Sequence, residues 1–599
     1  MLSEKPSIIG AGETRKVFEG TQTMKAYNEQ IQIVTPRSTI EVHLPDGRVL
    51  CGPRGETVEG FLRELPEWDN PPMMGAVVNG ELRELTYPLE MDSKVRPVTM
   101  ADADGARIYR RSITFLLEAA FSEMFPDASL TIDHSVSSGG FFCQVSGRGP
   151  LLEDELSALE RHMHDLVDQD LPFNRAQVPI EEALQYFESK GQHDKIRLLK
   201  YRSKKFLVLY SLGEMRDYHH GYMVPSTGYL SWFALTVMGA GFTLRYPRRF
   251  APKEILPMPE YPHLLDTFRQ YGNWLSRLGI ESVGALNDAI TQGRAREVIL
   301  VSEALHELQI AEIAQKITER ADKARIILIA GPSSSGKTTF SKRLAVQLLA
   351  QGLTPYAIEL DNYFVDREQT PKDENGQFDF EHLNALNTSL LSDHLKRLIA
   401  GEEVQLPYYN FKLGLSEKGE WAHINRDQLI ILEGIHGLNP ELLPDISHEN
   451  TFRIYVSCLT QLNLDRHNRI STTDTRLIRR IVRDAKERGY TAQQTIARWE
   501  SVRRGEKRYI FPYQENADEI FNSALVYEMT ALKAFAEPLL RQVPYGTNEY
   551  IEAKRLLAFL EWFLTIDADL IPDNSIMREF INGSILKEFK LWDLRRGTQ

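Results

Sequence analysis

Nine consecutive residues, GPSSSGKTT at 331 to 339, satisfy the spacing G-x-x-x-x-G-K-[ST] through Gly331, Gly336, Lys337 and Thr338. Glycines let such a loop wrap its backbone N–H groups around phosphate oxygens, and the N-terminus of a following helix favours the same anions. Lys337 is then expected to reach the β and γ phosphates of ATP, with the Thr338 hydroxyl on Mg²⁺. The nucleotide-binding set is Gly331, Pro332, Ser333, Ser334, Ser335, Gly336, Lys337, Thr338 and Thr339. Downstream, PYAIELDNYF puts Asp361 just past a strand-like run, where a carboxylate can take the proton of an attacking hydroxyl. QLIILEGI delivers Glu433 at the end of another, a position suited to a Mg²⁺ shell. In RLIRRIVRDAKERG (476 to 489), a helical wheel gathers Arg476, Arg479, Arg480, Arg483 and Lys486 on one face and Leu477, Ile478, Ile481, Val482 and Ala485 on the other. Beside an ATP site such a row can neutralise charge on a transferring phosphoryl group. Each of these has a plainer reading: Asp361 as a turn former before Asn362, Glu433 as an acidic N-cap, the arginines as a solvated face. The phosphate loop tips all three toward chemistry.

Those residues need a scaffold. From Arg325 onward, apolar strand-like runs (RIILIA, PYAIELD, QLIILEGI, TFRIYVS) alternate with helix-period stretches, the signature of a parallel sheet with crossover helices. Residues 38 to 98 carry short alternating runs, with Asp46-Gly47 placed as a hairpin turn. Residues 105 to 247 mix helical periods with strands such as GGFFCQV and KKFLVLYSLG, which predicts an α+β domain. Prolines then gather at 247, 252, 257, 259 and 262, and a helical stretch leads into the parallel region.

Composition narrows the classes. With 599 residues the chain is long for one domain, and three or four are expected. Lys plus Arg number 70 against 83 Asp plus Glu, a net charge of −13, which argues against a whole-chain grip on nucleic acid and leaves tRNA contact unsupported by charge. Three dispersed cysteines, Cys51, Cys143 and Cys458, offer neither a disulfide framework nor a cysteine zinc cluster, and a reducing, cytoplasmic setting is expected. The N-terminus lacks the pattern of a secretory signal. The most apolar stretch, residues 230 to 244, is shorter than the roughly 20 residues of a membrane span, so no membrane is expected. His219 and His220 are adjacent on a polar loop and are read as hydrogen-bonded surface groups, with no structural zinc assigned.

Residues 325 to about 525 resemble the uridine kinase and phosphoribulokinase family through GPSSSGKTT, the aspartate of DNY (361 to 363), FEHLNALN (380 to 387), LPYYNF (406 to 411), IILEG (430 to 434) and RLIRRIVRDAKERG. The resemblance implies ATP and Mg²⁺ as cofactors, with Asp361, Lys337, Arg480 and Arg483 catalytic and Thr338 and Glu433 on the metal. It implies Glu381 as the ribose-binding acid, Tyr409 as an aromatic wall of the nucleoside pocket, and Arg480 and Arg483 as the lid. Two positions depart from it: the family's base-reading histidine falls on Gly414, and its pyrimidine-contacting glutamine falls on Arg498, counted here as a substrate-binding residue. Kinase chemistry therefore carries over, and uridine specificity does not.

Residues 38 to 100 resemble a TGS domain through LPDG (44 to 47) and VVNGELREL (77 to 85). Residues 105 to 247 are similar to the second N-terminal domain of threonyl-tRNA synthetases, most plainly in RRSITFLLEAAFSEMFPDASL (110 to 130) and MRDYHHGYMVPSTGYL (215 to 230). In the synthetase that domain hydrolyses mischarged tRNA with HxxxH and C-x-x-x-H elements. Here Arg111 and Phe115 replace the two histidines, His219 the cysteine and Met223 the later histidine, while Asp217 and Lys195 remain. Editing is not expected from that set.

The expected architecture is multidomain: a leader (1–37), a small β-grasp-like TGS module (38–100), an α+β synthetase-like domain (105–247), a helical linker (248–324), a C-terminal α/β P-loop kinase domain with a parallel sheet (325–545) and a helical extension (546–599). The leading reading is an ATP-dependent kinase for a small-molecule hydroxyl acceptor, a nucleoside first. A sugar or metabolite kinase of the phosphoribulokinase type and an RNA-linked regulatory nucleotide-binding protein stay open, as does homo-oligomerisation.

Overall fold

A computed structural model describes residues 35–136, 139–258, 261–373, 376–425 and 428–589. All but the last three residues of the expected leader lie outside them. Near the N-terminus, Thr39–His43 and Val49–Pro53 pair antiparallel across a turn in which Gly47 takes φ +89°, a left-handed conformation open to glycine, as the Asp46-Gly47 pair predicts. They join Ser93–Thr99, Met73–Val78 and Glu81–Arg83 in a five-stranded sheet over Val58–Leu62, a single helical turn capped by Thr57. The α+β region follows. Its 22-residue helix Ala103–Met124 packs against a four-stranded antiparallel sheet, with a three-stranded sheet built from Asn174–Pro179, Phe206–Leu212 and Met215–Asp217 beside it.

Helices Pro262–Leu278, Val283–Thr291 and Ala295–Arg320 lead to the phosphate loop. There β1 (Ile326–Ala330), completely buried, runs into the loop and then α1 (Lys337–Ala350). Next come β2 (Thr354–Glu359), α2 (Thr388–Ile399) and the hairpin of β3 (Val404–Asn410) with β4 (Leu415–Ala422). The chain continues through β5 (Gln428–Glu433), β6 (Thr451–Ser457), α3 (Thr472–Glu487), α4 (Ala492–Tyr509) and β7 (Glu519–Asn522). The sheet order is β2-β5-β1-β6-β7, parallel throughout, so the ends of β1, β2 and β5 emerge on one edge. In the three central strands β5, β1 and β6, apolar β-branched runs buried on both faces account for this choice, since parallel strands are covered on either side by helices. Among the described residues no helix is long and apolar enough to cross a membrane.

The apolar core does not respect the expected boundaries. One cluster of buried side chains runs from Val178 and Phe187 through Leu275 and Ile299 in the linker helices, Ile327 and Ile431 in the parallel sheet, and on to Leu560, Ile576 and Ile581 near the C-terminus. The helical extension is thus part of the core beneath the parallel sheet, and its short helix α5 (Arg578–Ile581) lies against α3.

Candidate functional site

At the sheet edge, Ser333, Ser334, Ser335, Gly336, Lys337 and Thr338 line a cleft together with Asp361, Glu381, Arg480 and Arg483. The sequence-derived residues converge because β2, β5 and β1 run parallel as neighbours, so the phosphate loop after β1 and the Asp361 turn after β2 leave the same edge on either side of Glu433 at the end of β5. Gly336 caps α1 at φ +86°, and Gly331 lies so close to β6 that an added Cβ would stand 2.0 Å from the Val456 carbonyl oxygen. Both positions require glycine. The hydroxyls of Ser334 and Ser335 are buried without a hydrogen-bond partner, unspent donors beside an anion cradle.

Lys337 is the cation that acts most strongly on the acids of the site. Its charge opposes the effect of burial on Asp361, Glu381 and Glu433 alike. Burial pushes Asp361 above the usual carboxylate range, helped by Glu359 and countered by Lys337 and Arg488. Glu381 is raised to about 7 by burial and by the carboxylates of Glu506, Asp361 and Asp379. It lies against α4, where the missing side chain of Gly505 leaves the room it needs. Glu433 is also raised to about 7, chiefly by burial, and accepts a hydrogen bond from the Thr338 hydroxyl at 3.1 Å. Two oxygen donors so placed, with a carboxylate short of positive charge, fit a hard divalent cation such as Mg²⁺.

This sets a pH dependence. Below pH 4.5 the Glu433 carboxyl is protonated in folded and unfolded chains alike; as pH rises toward about 7 the unfolded chain ionises first. The stability tied to this proton is therefore lost across that window. In the ligand-free protein, the thermal midpoint of wild type should fall relative to Glu433→Gln as pH rises from 4.5 to about 7, then run parallel to it. A constant difference across a pH series would remove the assignment.

The arginine row differs from a solvated face. Arg479 is completely buried, pairing with Glu528 and donating to the Ser523 carbonyl at 2.9 Å, and Arg476 donates to the Ser333 carbonyl at 2.8 Å and pairs with Glu506. These two brace the loop. Arg480 holds the Ser333 hydroxyl at 2.6 Å and Asp484 at 2.7 Å, while Arg483 pairs with Glu579 at 3.1 Å. Both line the cleft.

Tyr409 is buried between Phe364 and Phe411, next to the Asp361 turn through its N–H to Asn362, and its hydroxyl has no partner. Arg498 is a correction. It sits exposed on α4, stacked on Tyr490 at 4.5 Å, and does not line the cleft; Val502 and Glu506, one and two turns further along, do. His219, expected at the surface, is buried as well, 5.2 Å ring to ring from Phe115, and Arg111 is spent on the Tyr222 carbonyl. Asp217 and Lys195 do meet, at 2.7 Å.

Three charged cleft residues escaped sequence reading. Arg488 faces Asp361 from just beyond α3, and Glu506 accepts the Ser333 N–H at 3.0 Å. Glu579, from the extension, accepts from the Thr339 N–H at 3.4 Å and hydroxyl at 2.9 Å. Glu579 thereby occupies a donor that an anionic phosphate needs. Glu579→Gln is expected to tighten ATP binding roughly tenfold, the scale of one charge-assisted hydrogen bond. Equal or weaker affinity by calorimetry would show that the carboxylate does not compete.

Residues 326–529 match the model of the phosphoribulokinase / uridine kinase family. That span contains the whole parallel sheet, the loop and the arginine helix. The N-terminal region matches threonine–tRNA ligases, including those of Azoarcus sp. (32% identical over 202 residues, 34% of this chain and 32% of the relative) and Methylococcus capsulatus (36% over 166 residues, 28% and 26%). The chain thus spans about a third of the length of these curated relatives. Among solved structures, a putative fructose transport system kinase from Silicibacter sp. aligns with TM-score 0.25 and 18% identity over 35% of this chain and 98% of its own. A possible uridine kinase from Bacillus stearothermophilus aligns with TM-score 0.23 and 18% identity over 35% and 100%.

Proposed function

We propose that the protein transfers the γ-phosphoryl group of ATP to a hydroxyl of a nucleoside or related small molecule. The observation that carries this reading is the meeting of a phosphate loop, an acceptor-side aspartate and a diol-binding acid in one cleft, inside the span matched to the phosphoribulokinase / uridine kinase family. A pure nucleotide switch has no use for Asp361 or Glu381. The loop N–H groups and Lys337 bind the phosphates, and Arg480 and Arg483 meet the charge that develops on transfer. Asp361 accepts the proton of the attacking hydroxyl, its raised pKa improving it as a base. Glu381 accepts from a cis-diol and holds the acceptor in line. Thr338 and Glu433 would hold Mg²⁺, which would supply charge neutralisation for the phosphates.

Pyrimidine reading has no residue to rest on. Gly414 leaves space that the Arg367 side chain fills, within 2.7 Å of where a Cβ would stand, and Arg498 lies off the cleft. An ATP-consumption screen over nucleosides, sugars and sugar phosphates tests the proposal. Ribose compounds should be preferred over their 2′-deoxy analogues by about 1–3 kcal/mol, the cost of leaving Glu381 unpaired. Uridine or cytidine should rank among several acceptors. No turnover with any of them would overturn the assignment, and a preference for uridine above 10³ would overturn the specificity.

A further inference from the structure

Away from the cleft, positive charge gathers along the seam between the synthetase-like region and the kinase. On α4, Glu500, Arg503, Arg504 and Lys507 recur at helical spacing and share one face, different from the one that brings Val502 and Glu506 to the cleft. Arg249 crosses to that face, where its guanidinium donates to Glu500 at 2.8 Å while its Nε holds the Ala101 carbonyl at 2.8 Å. Its neighbour Arg248 folds against Gly139, so closely that an added Cβ would stand 3.0 Å from the Arg248 Nε. Arg110 of helix Ala103–Met124 and Arg469 of the loop before α3 lie over the adjacent rings of Tyr246 and Phe141, at 5.8 and 5.2 Å.

The acids around these cations are already engaged. Glu500 is held by Arg249, Glu506 by Arg476 and Asp474 by Arg555 at 2.7 and 2.8 Å, and Asp133 accepts from Gln144 at 2.8 Å. Arg110, Arg469, Arg503 and Lys507 form no ion pair among the described residues. Arg503 donates to the Thr473 hydroxyl in the first turn of α3, and the exposed Lys507 makes no hydrogen bond among the described residues. The cations oppose one another as a result. Burial pushes Arg503 down to about 10, with Arg476 and Arg110 adding to the effect against Glu506 and Glu500. Loss of water and then Arg503 push Lys507 down to about 8, with Arg249 and Arg248 adding and Glu500 opposing. Burial and the charge of Arg110 lower Arg248 and Arg469 as well. In a chain of net charge −13, this local excess focuses a positive field on one spot.

We propose that the seam is a second phosphate site, binding a compact chain of two or three phosphates between Arg503 and Lys507 of α4 and Arg110 and Arg248 of the synthetase-like region. Guanidinium forks match phosphate oxygens, and Lys507 adds a mobile point charge. The layout favours a short ligand, because cations from three elements act on one another here, whereas a nucleic acid backbone needs them strung along a track. Arg503 ties the site to the first turn of α3, and Arg476, on the same helix, braces the phosphate loop.

The test titrates inorganic tripolyphosphate into the full chain by calorimetry, with one equivalent each of Mg²⁺ and a non-hydrolysable ATP analogue present to fill the cleft. One equivalent of tripolyphosphate is expected to bind wild type, and also Arg498→Gln, whose side chain stacks on Tyr490 away from the seam. Lys507→Gln alters an exposed side chain without a partner and should weaken binding roughly tenfold, the scale of one charge-assisted hydrogen bond, as should Arg503→Gln. Wild type that takes up no tripolyphosphate, or a Lys507→Gln chain that binds it as wild type does, overturns the proposal. Competition between GTP and tripolyphosphate for the seam supports the site in either order and shows whether a nucleotide or a free phosphate chain is the better ligand. A single-stranded RNA that binds roughly a hundredfold more tightly than tripolyphosphate, with the same loss in Lys507→Gln, overturns the compact ligand.

Discussion

Replacing Lys337 by alanine is expected to abolish phosphoryl transfer. The ammonium is the first cation of α1 and the shared counter-charge of Asp361, Glu381 and Glu433. Its loss removes a preorganised charge from the transferring phosphates, a change worth at least roughly a hundredfold in turnover where single donors have been deleted. It also leaves three carboxylates facing the nucleotide without their nearest cation, so ATP affinity should fall as well. A coupled assay in which the variant turns over within tenfold of wild type would remove this loop from the chemistry.

Asp361→Asn should behave differently. The substitution keeps the size and the hydrogen-bonding reach of the side chain but deletes the base, so the chemical step should slow by roughly 10² to 10⁴. ATP affinity should stay close to wild type by calorimetry, because among the described residues no hydrogen bond joins Asp361 to the loop N–H groups. Removing a negative charge near the phosphates would, if anything, tighten binding slightly. If affinity and turnover fell together, Asp361 would be a metal ligand or a folding residue. Comparing the two variants separates binding of the donor from activation of the acceptor.

Much of this cleft was legible because its parts are local. The phosphate loop, the turn at Asp361 and the strand end at Glu433 each sit in a short segment whose residue types report its geometry, and parallel strands deliver such segments to one edge. The wheel drawn for residues 476 to 489 found the correct face but misjudged its surroundings. A helix face of arginines reads as solvated or as a lid, and nothing in the period says that Arg479 will be sealed against Glu528, 49 residues away. The illegible parts share that property. Glu506 reaches Ser333 across 173 positions, Glu579 reaches Thr339 across 240, and His467 reaches Asp217 across 250. Arg498 failed for the opposite reason: alignment to a motif fixes a position along a helix, and a single turn decides whether that position meets the cleft.

The wall that Ile576 and Glu579 build against the phosphate loop has a consequence in time. The loop is synthesised about 240 residues before Glu579, and at about 5–20 residues per second the ribosome needs roughly 12–50 s to supply the missing piece. Until then Gly336 and Thr339 lack the side chains that cover them, and the sheet lacks the last members of its apolar core. For that interval the nascent chain carries a complete nucleotide-binding sequence in an unfinished pocket. Truncation before residue 576 should make the interval permanent, yielding a chain that aggregates or waits on chaperones, rather than a smaller kinase.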